Sequence, residues 1–217
     1  MSKKICVIGL GYIGFPTSLV FAKAGYEVVG VDINENVVSA LQAGQTHIEE
    51  TGLTEMFAEV RKSGRFRAQR TPEPADAYIV AVPTPVKPDH SANLDYVVSA
   101  VESVLPYLRP GNVVIVESTI PPRTIEDVVA PLLEHAGWNV GEDIYLAHCP
   151  ERVLPGRIFI ELIENNRIVG GINRESAERA AELYRPFVTG EIVMTTAAEA
   201  EMAKLIENTF RDVNIAL

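Results

Sequence analysis

A doubly wound α/β fold around a parallel sheet is predicted by three observations on the 217-residue chain. Short apolar runs rich in β-branched residues recur along it, as in strands buried on both faces. Segments with apolar residues at helical spacing separate these runs, the alternation that builds βαβ units. The first run, Ile5–Ile8, passes straight into Gly9-Leu10-Gly11-Tyr12-Ile13-Gly14, a glycine turn at a strand–helix junction.

In order, Ile5–Ile8 is the first strand, Phe15–Ala24 a helix, and Val28–Val31 a second strand ending on Asp32. Helices are predicted over Asn34–Ala43 and Leu53–Lys62, with the polar link Gly44–Gly52 between them, and a short strand over Phe66–Arg70. Ala77–Val82 is a buried strand, broken by Pro83-Thr84-Pro85. After the polar loop Pro88–Asn93 come a helix over Leu94–Leu108 and a strand over Val113–Val116 that runs into Glu117-Ser118-Thr119. Arg123–Ala136 reads as a helix with Thr124 as its cap, and Ile144–Ala147 as a strand. The loop His148–Gly156 is dense in functional residue types. Arg167–Val169 with Gly170-Gly171 reads as strand and turn, Ser176–Tyr184 as helix, and Glu191–Met194 as strand. From Ala197 the pattern is helical to the last residue, with no glycine or proline stop, so the chain reads as cut within a helix.

Composition narrows the function classes. A net charge of −10 and no basic cluster longer than Arg65-Phe66-Arg67 argue against a nucleic-acid partner. The apolar run after Lys3-Lys4 is too short and too glycine-rich for a signal peptide, and no stretch suits a membrane span. Two cysteines, Cys6 and Cys149, make no disulfide framework. A cytoplasmic protein is expected.

The strand, glycine turn, helix, strand and acid together suit a dinucleotide. Gly9 permits the tight turn, Gly11 lets the backbone approach a pyrophosphate, and Gly14 lets helix and strand pack closely. The helix start offers free N–H groups to phosphates. Asp32 lies where a carboxylate accepts the adenine-ribose hydroxyls and repels a 2′-phosphate, so the cofactor is read as NAD rather than NADP.

Other positions carry two readings each. Thr84 and Thr119 follow apolar strands and would meet a cofactor at the sheet's carboxyl edge; alternatively they satisfy local backbone groups. Adjacent His148 and Cys149 point to opposite sides, so a buried thiol is favoured over a thiol–imidazole dyad. Glu151 and Arg152 are either a surface ion pair or, at the ligand edge, a base and its neighbour. In the last helix Met202, Ile206, Phe210, Val213 and Leu217 form an apolar face. Lys204, Asn208 and Arg211 share the opposite face, which on pattern alone reads as a solvated stripe, although a Lys–Asn–Arg row also suits an anionic, hydroxyl-rich ligand.

Five motifs in order resemble the UDP-glucose/GDP-mannose family of nucleotide-sugar 6-dehydrogenases. They are Gly9-Leu10-Gly11-Tyr12-Ile13-Gly14-Phe15-Pro16, Val82-Pro83-Thr84-Pro85, Glu117-Ser118-Thr119, Cys149-Pro150-Glu151-Arg152-Val153-Leu154-Pro155-Gly156, and Lys204 with Asn208. Arg152 and Pro155 stand where UDP-glucose enzymes carry phenylalanine and a second glutamate. The loop, with Ile168-Val169-Gly170-Gly171, looks like that of the enzymes acting on UDP-N-acetyl-D-mannosamine; those acting on UDP-N-acetylglucosamine are the near alternative. The resemblance implies a Rossmann-like NAD domain over 1–196 and a linking, dimer-forming helix from 197, with the sugar-nucleotide domain absent. It implies four-electron oxidation of the C6 alcohol by two NAD⁺ in turn, through a cysteine thioester, and no metal. Lys204 is then the acid/base and oxyanion-stabilising group, Asn208 holds the reacting oxygen or water, and Glu151 is the base for thioester hydrolysis. Arg152, Val153 and Arg211, with Lys204 and Asn208, contact the nucleotide sugar. Gly9, Gly11, Tyr12, Ile13, Gly14, Asp32, Val37, Thr84 and Thr119 fall on cofactor positions. The family's nucleophile lies beyond Leu217, and neither Cys6 nor Cys149 matches it, so this chain is expected to bind NAD without turning over. The competing readings are a β-hydroxyacid dehydrogenase, which would lack the Pro-Glu-Arg loop, and a non-catalytic NAD sensor.

Overall fold

A computed structural model describes residues 3–217. Eight strands, β1 (Lys4–Ile8), β2 (Glu27–Val31), β3 (Phe66–Gln69), β4 (Ala77–Val80), β5 (Val113–Val116), β6 (Tyr145–His148), β7 (Arg167–Gly171) and β8 (Ile192–Thr196), form one sheet. Their spatial order is β3-β2-β1-β4-β5-β6-β7-β8, so the chain reverses its direction of travel between β1 and β4. Ligands of such sheets bind outside the carboxyl ends of the strands at this switch point.

Helices cover both faces, which is why the central strands are apolar on both sides. Alternate strand residues divide between two cores. Ile5, Val7 and Ile79 pack with α1 (Gly14–Lys23), α2 (Glu35–Ala43), α3 (Leu53–Ser63) and α7 (Arg174–Tyr184). Cys6, Ile8 and Val80 pack with α4 (Asp95–Val104) and α5 (Ala130–His135) on the other face. Each fully buried Val, Leu, Ile or Phe contributes about 1.5–3 kcal/mol of transfer free energy, so these two layers dominate stability.

The structure departs from the expected pattern at several points. β7 runs antiparallel to β6, so the sheet is mixed rather than wholly parallel. The connection from β6 stays at the ligand edge, through a loop and the short helix α6 (Ile158–Glu164), which the periodicity did not suggest. His148 pairs with Gly170, so Arg167, three residues earlier in β7, starts beyond the carboxyl end of β6. The helix expected over 94–108 ends as α4 at Val104, and a 3₁₀ turn over Leu105–Tyr107 follows, because Pro106 cannot continue the α-helical ladder. The helix expected over 123–136 opens with a π turn at Ile125–Val129 before α5. Thr124 is not its cap: its hydroxyl donates to Pro121 O. The cap comes from Glu201 in the last helix, α8 (Ala197–Ala216), whose carboxylate accepts the N–H groups of Arg123 and Ile125 at 2.5 and 2.8 Å.

α8 begins with a reciprocal capping box between Thr196 and Glu199. Its first turns bury Ala197, Ala200 and Glu201. Beyond them the expected apolar face is open: Met202, Ile206, Phe210, Val213 and Leu217 are all exposed, Phe210 by 71%.

Candidate functional site at the carboxyl edge of the sheet

The glycine turn sits between β1 and α1. Gly9 has φ +94°, and a Cβ there would lie 2.5 Å from Ala81 O. A Cβ on Gly14 would lie 1.9 Å from Gly9 O, so the closeness of turn and helix needs glycine at both positions. In front of Gly11 there is open space. Among the described residues, the N–H groups of Gly11, Tyr12, Ile13 and Gly14 have no acceptor, and Ile13, the N-cap of α1, supplies no side-chain acceptor either. An open cradle of backbone donors at a ten-residue helix's positive end fits a pyrophosphate.

Asp32 follows β2, and its carboxylate steadies the turn. Oδ2 accepts Leu10 N–H at 2.9 Å and Oδ1 accepts Asn34 N–H at 2.8 Å. Each oxygen keeps a further lone pair for a ribose hydroxyl. Asp32 lines a cleft of about 150 Å³ with Gly9, Arg70, Tyr96 and Ala100. Val37, on α2, packs partly buried against the core and lines none of the clefts described here. Tyr12 is exposed, and its hydroxyl donates to Glu50 Oε2 at 2.5 Å. The same carboxylate oxygen accepts Gly156 N–H at 2.9 Å, so Glu50 ties the glycine turn to the loop that carries Glu151.

A second cleft, of about 290 Å³, brings together residues far apart in sequence: Ile13, Thr84, Thr119, Glu151, Val153, Lys204, Asn208 and Arg211 all line it. Thr84 Oγ1 donates to Thr119 O at 2.7 Å, so the two strand ends are joined where they meet the cleft. The solvated-stripe reading of α8 is overturned. Lys204 and Asn208 are partly buried and point to the cleft with Arg211, while the apolar face points outward. Burial lowers the Lys204 ammonium below its ordinary pKa, and the Glu151 and Glu207 carboxylates oppose this. Arg152 lies in an adjoining cleft of about 400 Å³, shared with Lys204, Asn208 and Arg211, and pairs with Glu207 at 2.5 Å.

Two carboxylates that line this cleft, Glu117 and Glu151, share a buried arginine, Arg167, to which the sequence pattern gave no role. Arg167 Nη1 stands 2.8 Å from Glu151 Oε2 and 4.0 Å from Glu117 Oε1. Nη2 donates to Leu162 O at 3.2 Å, and the guanidinium carbon lies 4.6 Å from the centre of the Tyr184 ring. Tyr184 donates its hydroxyl to Glu117 Oε1 at 2.8 Å, while Glu117 Oε2 is buried with no hydrogen-bond partner among the described residues. Burial pushes the Glu117 carboxyl up to about 7, against the opposing pull of Arg167. The available signals were a charged residue at the head of the apolar strand Arg167–Gly171, and Glu117 directly after Val113–Val116.

The thiol–imidazole dyad is absent. His148 Nδ1 is bonded to Val116 O at 2.7 Å, and burial pushes the imidazole down to about 4. Cys149 is buried in the other core beside Arg167, and burial pushes its thiol up to about 12. Among the described residues, no helix is long and apolar enough to cross a membrane.

Residues 3–188 match the NAD-binding domain of the UDP-glucose/GDP-mannose dehydrogenase family. UDP-N-acetyl-D-mannosamine dehydrogenase from Methanococcus maripaludis is 50% identical over 99% of this chain and 49% of its own length. The solved structure of the UDP-N-acetyl-mannosamine dehydrogenase Cap5O from Staphylococcus aureus superposes with a TM-score of 0.95 at 53% identity, over 98% of this chain and 52% of that one. The corresponding UDP-D-ManNAc dehydrogenase from Pyrococcus horikoshii gives 0.95 at 44% identity, over 98% and 51%. The chain thus spans about half the length of the curated relatives it matches.

Proposed function

The chain belongs to the UDP-glucose/GDP-mannose dehydrogenase family, and we propose that it is the cofactor-binding half of an enzyme that oxidises UDP-N-acetyl-D-mannosamine at C6 to the uronate. In this reading residues 1–196 are the NAD domain, and 197 onward is the start of a helix linking it to a sugar-nucleotide domain. One observation carries the proposal: the glycine turn, the two threonine strand ends, Glu151, and the Lys204–Asn208–Arg211 row converge on one cleft.

NAD⁺, held at the turn, supplies the two-electron acceptor for each oxidation. The residues of this chain bind, orient and move protons. The free N–H groups of Gly11, Tyr12, Ile13 and Gly14 meet the pyrophosphate, and Asp32 meets the ribose hydroxyls. Thr84 and Thr119 line the path from turn to cleft. Lys204 places a positive charge where negative charge develops on the sugar's C6 oxygen, and its lowered pKa eases proton exchange with that oxygen. Asn208, one helical turn on, holds the same oxygen by a hydrogen bond. Glu151, gripped from below by Arg167, takes a proton from the attacking water. Arg152 and Arg211 bring cations to the diphosphate, and Val153 packs beside them.

The second oxidation needs a cysteine nucleophile. Cys6 and Cys149 are fully buried, and burial pushes both thiols up to about 12, so neither serves. The exposed face of Met202, Ile206, Phe210 and Val213 supports a homodimer contact along α8 in the complete enzyme. The test is an assay of reduced nicotinamide from NAD⁺ and UDP-N-acetyl-D-mannosamine. The complete reading frame is expected to yield two equivalents per sugar and this chain none. Product from the chain alone refutes the half-enzyme reading, and faster turnover of UDP-N-acetylglucosamine refutes the substrate.

A further inference from the structure

The register between β2 and β3 sets Arg70 beside Asp32. Val31 pairs with Gln69, and Asp32 N–H donates to Gln69 O at 3.2 Å, so Asp32 and Arg70 leave the sheet abreast. Both line the same cleft, whose further wall is Tyr96 and Ala100 of α4. Its lip carries Ile33, an isoleucine left 79% exposed. The Arg70 guanidinium is half-exposed and held at its edge, 3.6 Å from Glu35 and 3.5 Å from Ile33 O.

An arginine abreast of the ribose-reading acid is a conflict of signals. In dinucleotide folds the acid suits a free 2′-hydroxyl and a nearby arginine suits a 2′-phosphate. Glu35 resolves it. Asp32, Glu35 and Arg70 together carry one net negative charge, which disfavours a phosphate. What Arg70 still offers is a flat cationic face, over a slot whose exposed lining also includes the Ile33 side chain, the Tyr96 phenol ring and Ser99. That combination takes a planar aromatic base.

We propose that Arg70 is a specificity-determining residue of the cofactor site: its guanidinium, steadied by Glu35, covers the purine of the bound dinucleotide from the β3 side. The inference rests on the dinucleotide reading of the glycine turn and deepens it by naming what reads the base.

Calorimetric titration of this chain with AMP, NAD⁺ and 2′,5′-ADP tests it, in the wild type, Arg70→Ala and Arg70→Lys. Arg70 is on the surface, and thermal melts verify that the variants stay folded. Arg70→Ala is expected to bind AMP and NAD⁺ about three- to twenty-fold more weakly. Arg70→Lys recovers only part of this, because it restores the charge without the flat face. Equal AMP affinity in wild type and Arg70→Ala overturns the proposal and leaves the dinucleotide reading standing. Full recovery by lysine, or a loss confined to 2′,5′-ADP, makes Arg70 a charge contact and also overturns it. A wild type that binds neither AMP nor NAD⁺ fails the dinucleotide reading itself, and the proposal with it.

Discussion

Replacing Arg167 with methionine isolates what the buried charge cluster does. The guanidinium is 4% exposed and lies 2.8 Å from one carboxylate and 4.0 Å from another. At an effective dielectric constant of about 20, these separations correspond to roughly 6 and 4 kcal/mol of Coulomb attraction. Desolvating three ionisable groups costs several kcal/mol each, so the intact cluster adds little net stability. Removing one partner is different, because it leaves the carboxylates buried without a cation, a loss of about 3–5 kcal/mol. Methionine keeps most of the side chain's length, so the cavity contribution is small. Urea unfolding followed by circular dichroism at neutral pH should show that loss as a lower midpoint with an unchanged slope. Glu117, whose carboxyl burial raises to about 7, is part-ionised at neutral pH, and Glu117→Gln removes the charge it then carries. The double variant Glu117→Gln/Arg167→Met should therefore lose less than the sum of the two single changes. A loss below about 1 kcal/mol for Arg167→Met, or strict additivity in the cycle, would mean that Arg167 does not hold the two carboxylates as a unit.

Three further outcomes follow from the same geometry. Gly14→Ala forces a methyl against Gly9 O and should cost about 1–3 kcal/mol in the thermal or urea midpoint while abolishing NAD⁺ binding in calorimetry. Glu117 has its carboxyl raised to about 7 from an ordinary 4.5, so the stability it contributes is complete below 4.5 and is lost as pH rises through 7. Glu117→Gln should flatten that part of the stability–pH curve, whose slope is at most about 1.4 kcal/mol per pH unit, and urea titrations across the window measure it. Glu201→Ala strips the acceptor from two N–H groups at the start of the π turn and should lower stability by about 1–3 kcal/mol.

Much of the fold was legible because it rests on local patterns. Val113–Val116 and Ile5–Ile8 are strands whose two buried faces demand continuous apolar residues, and the glycine turn announces the junction it occupies. The antiparallel turn into β7 was not legible, because Arg167–Gly171 has the same apolar pattern in either direction. Glu201 as a cap and Arg167 as a clamp act across 76 and 16 residues of sequence, a separation that no periodicity encodes. α8 misled for a physical reason. Pattern alone reads the Lys204–Asn208–Arg211 row as a solvated stripe, yet only Ala197, Ala200 and Glu201 of the helix are buried and that row faces the cleft. The motifs Glu151-Arg152 and Lys204 with Asn208 marked the right residues, but only the fold brings them to one cleft.

If the Gly9–Gly14 turn holds NAD with Asp32 reading its ribose, the chain should tell NAD⁺ from NADP⁺. Calorimetric titration of the chain with NAD⁺ and NADP⁺ tests it most directly. One NAD⁺ site per chain is expected, with NADP⁺ bound more than about tenfold more weakly, from the cost of setting a phosphate against Asp32. No heat with NAD⁺, or equal affinity for the two cofactors, would contradict it.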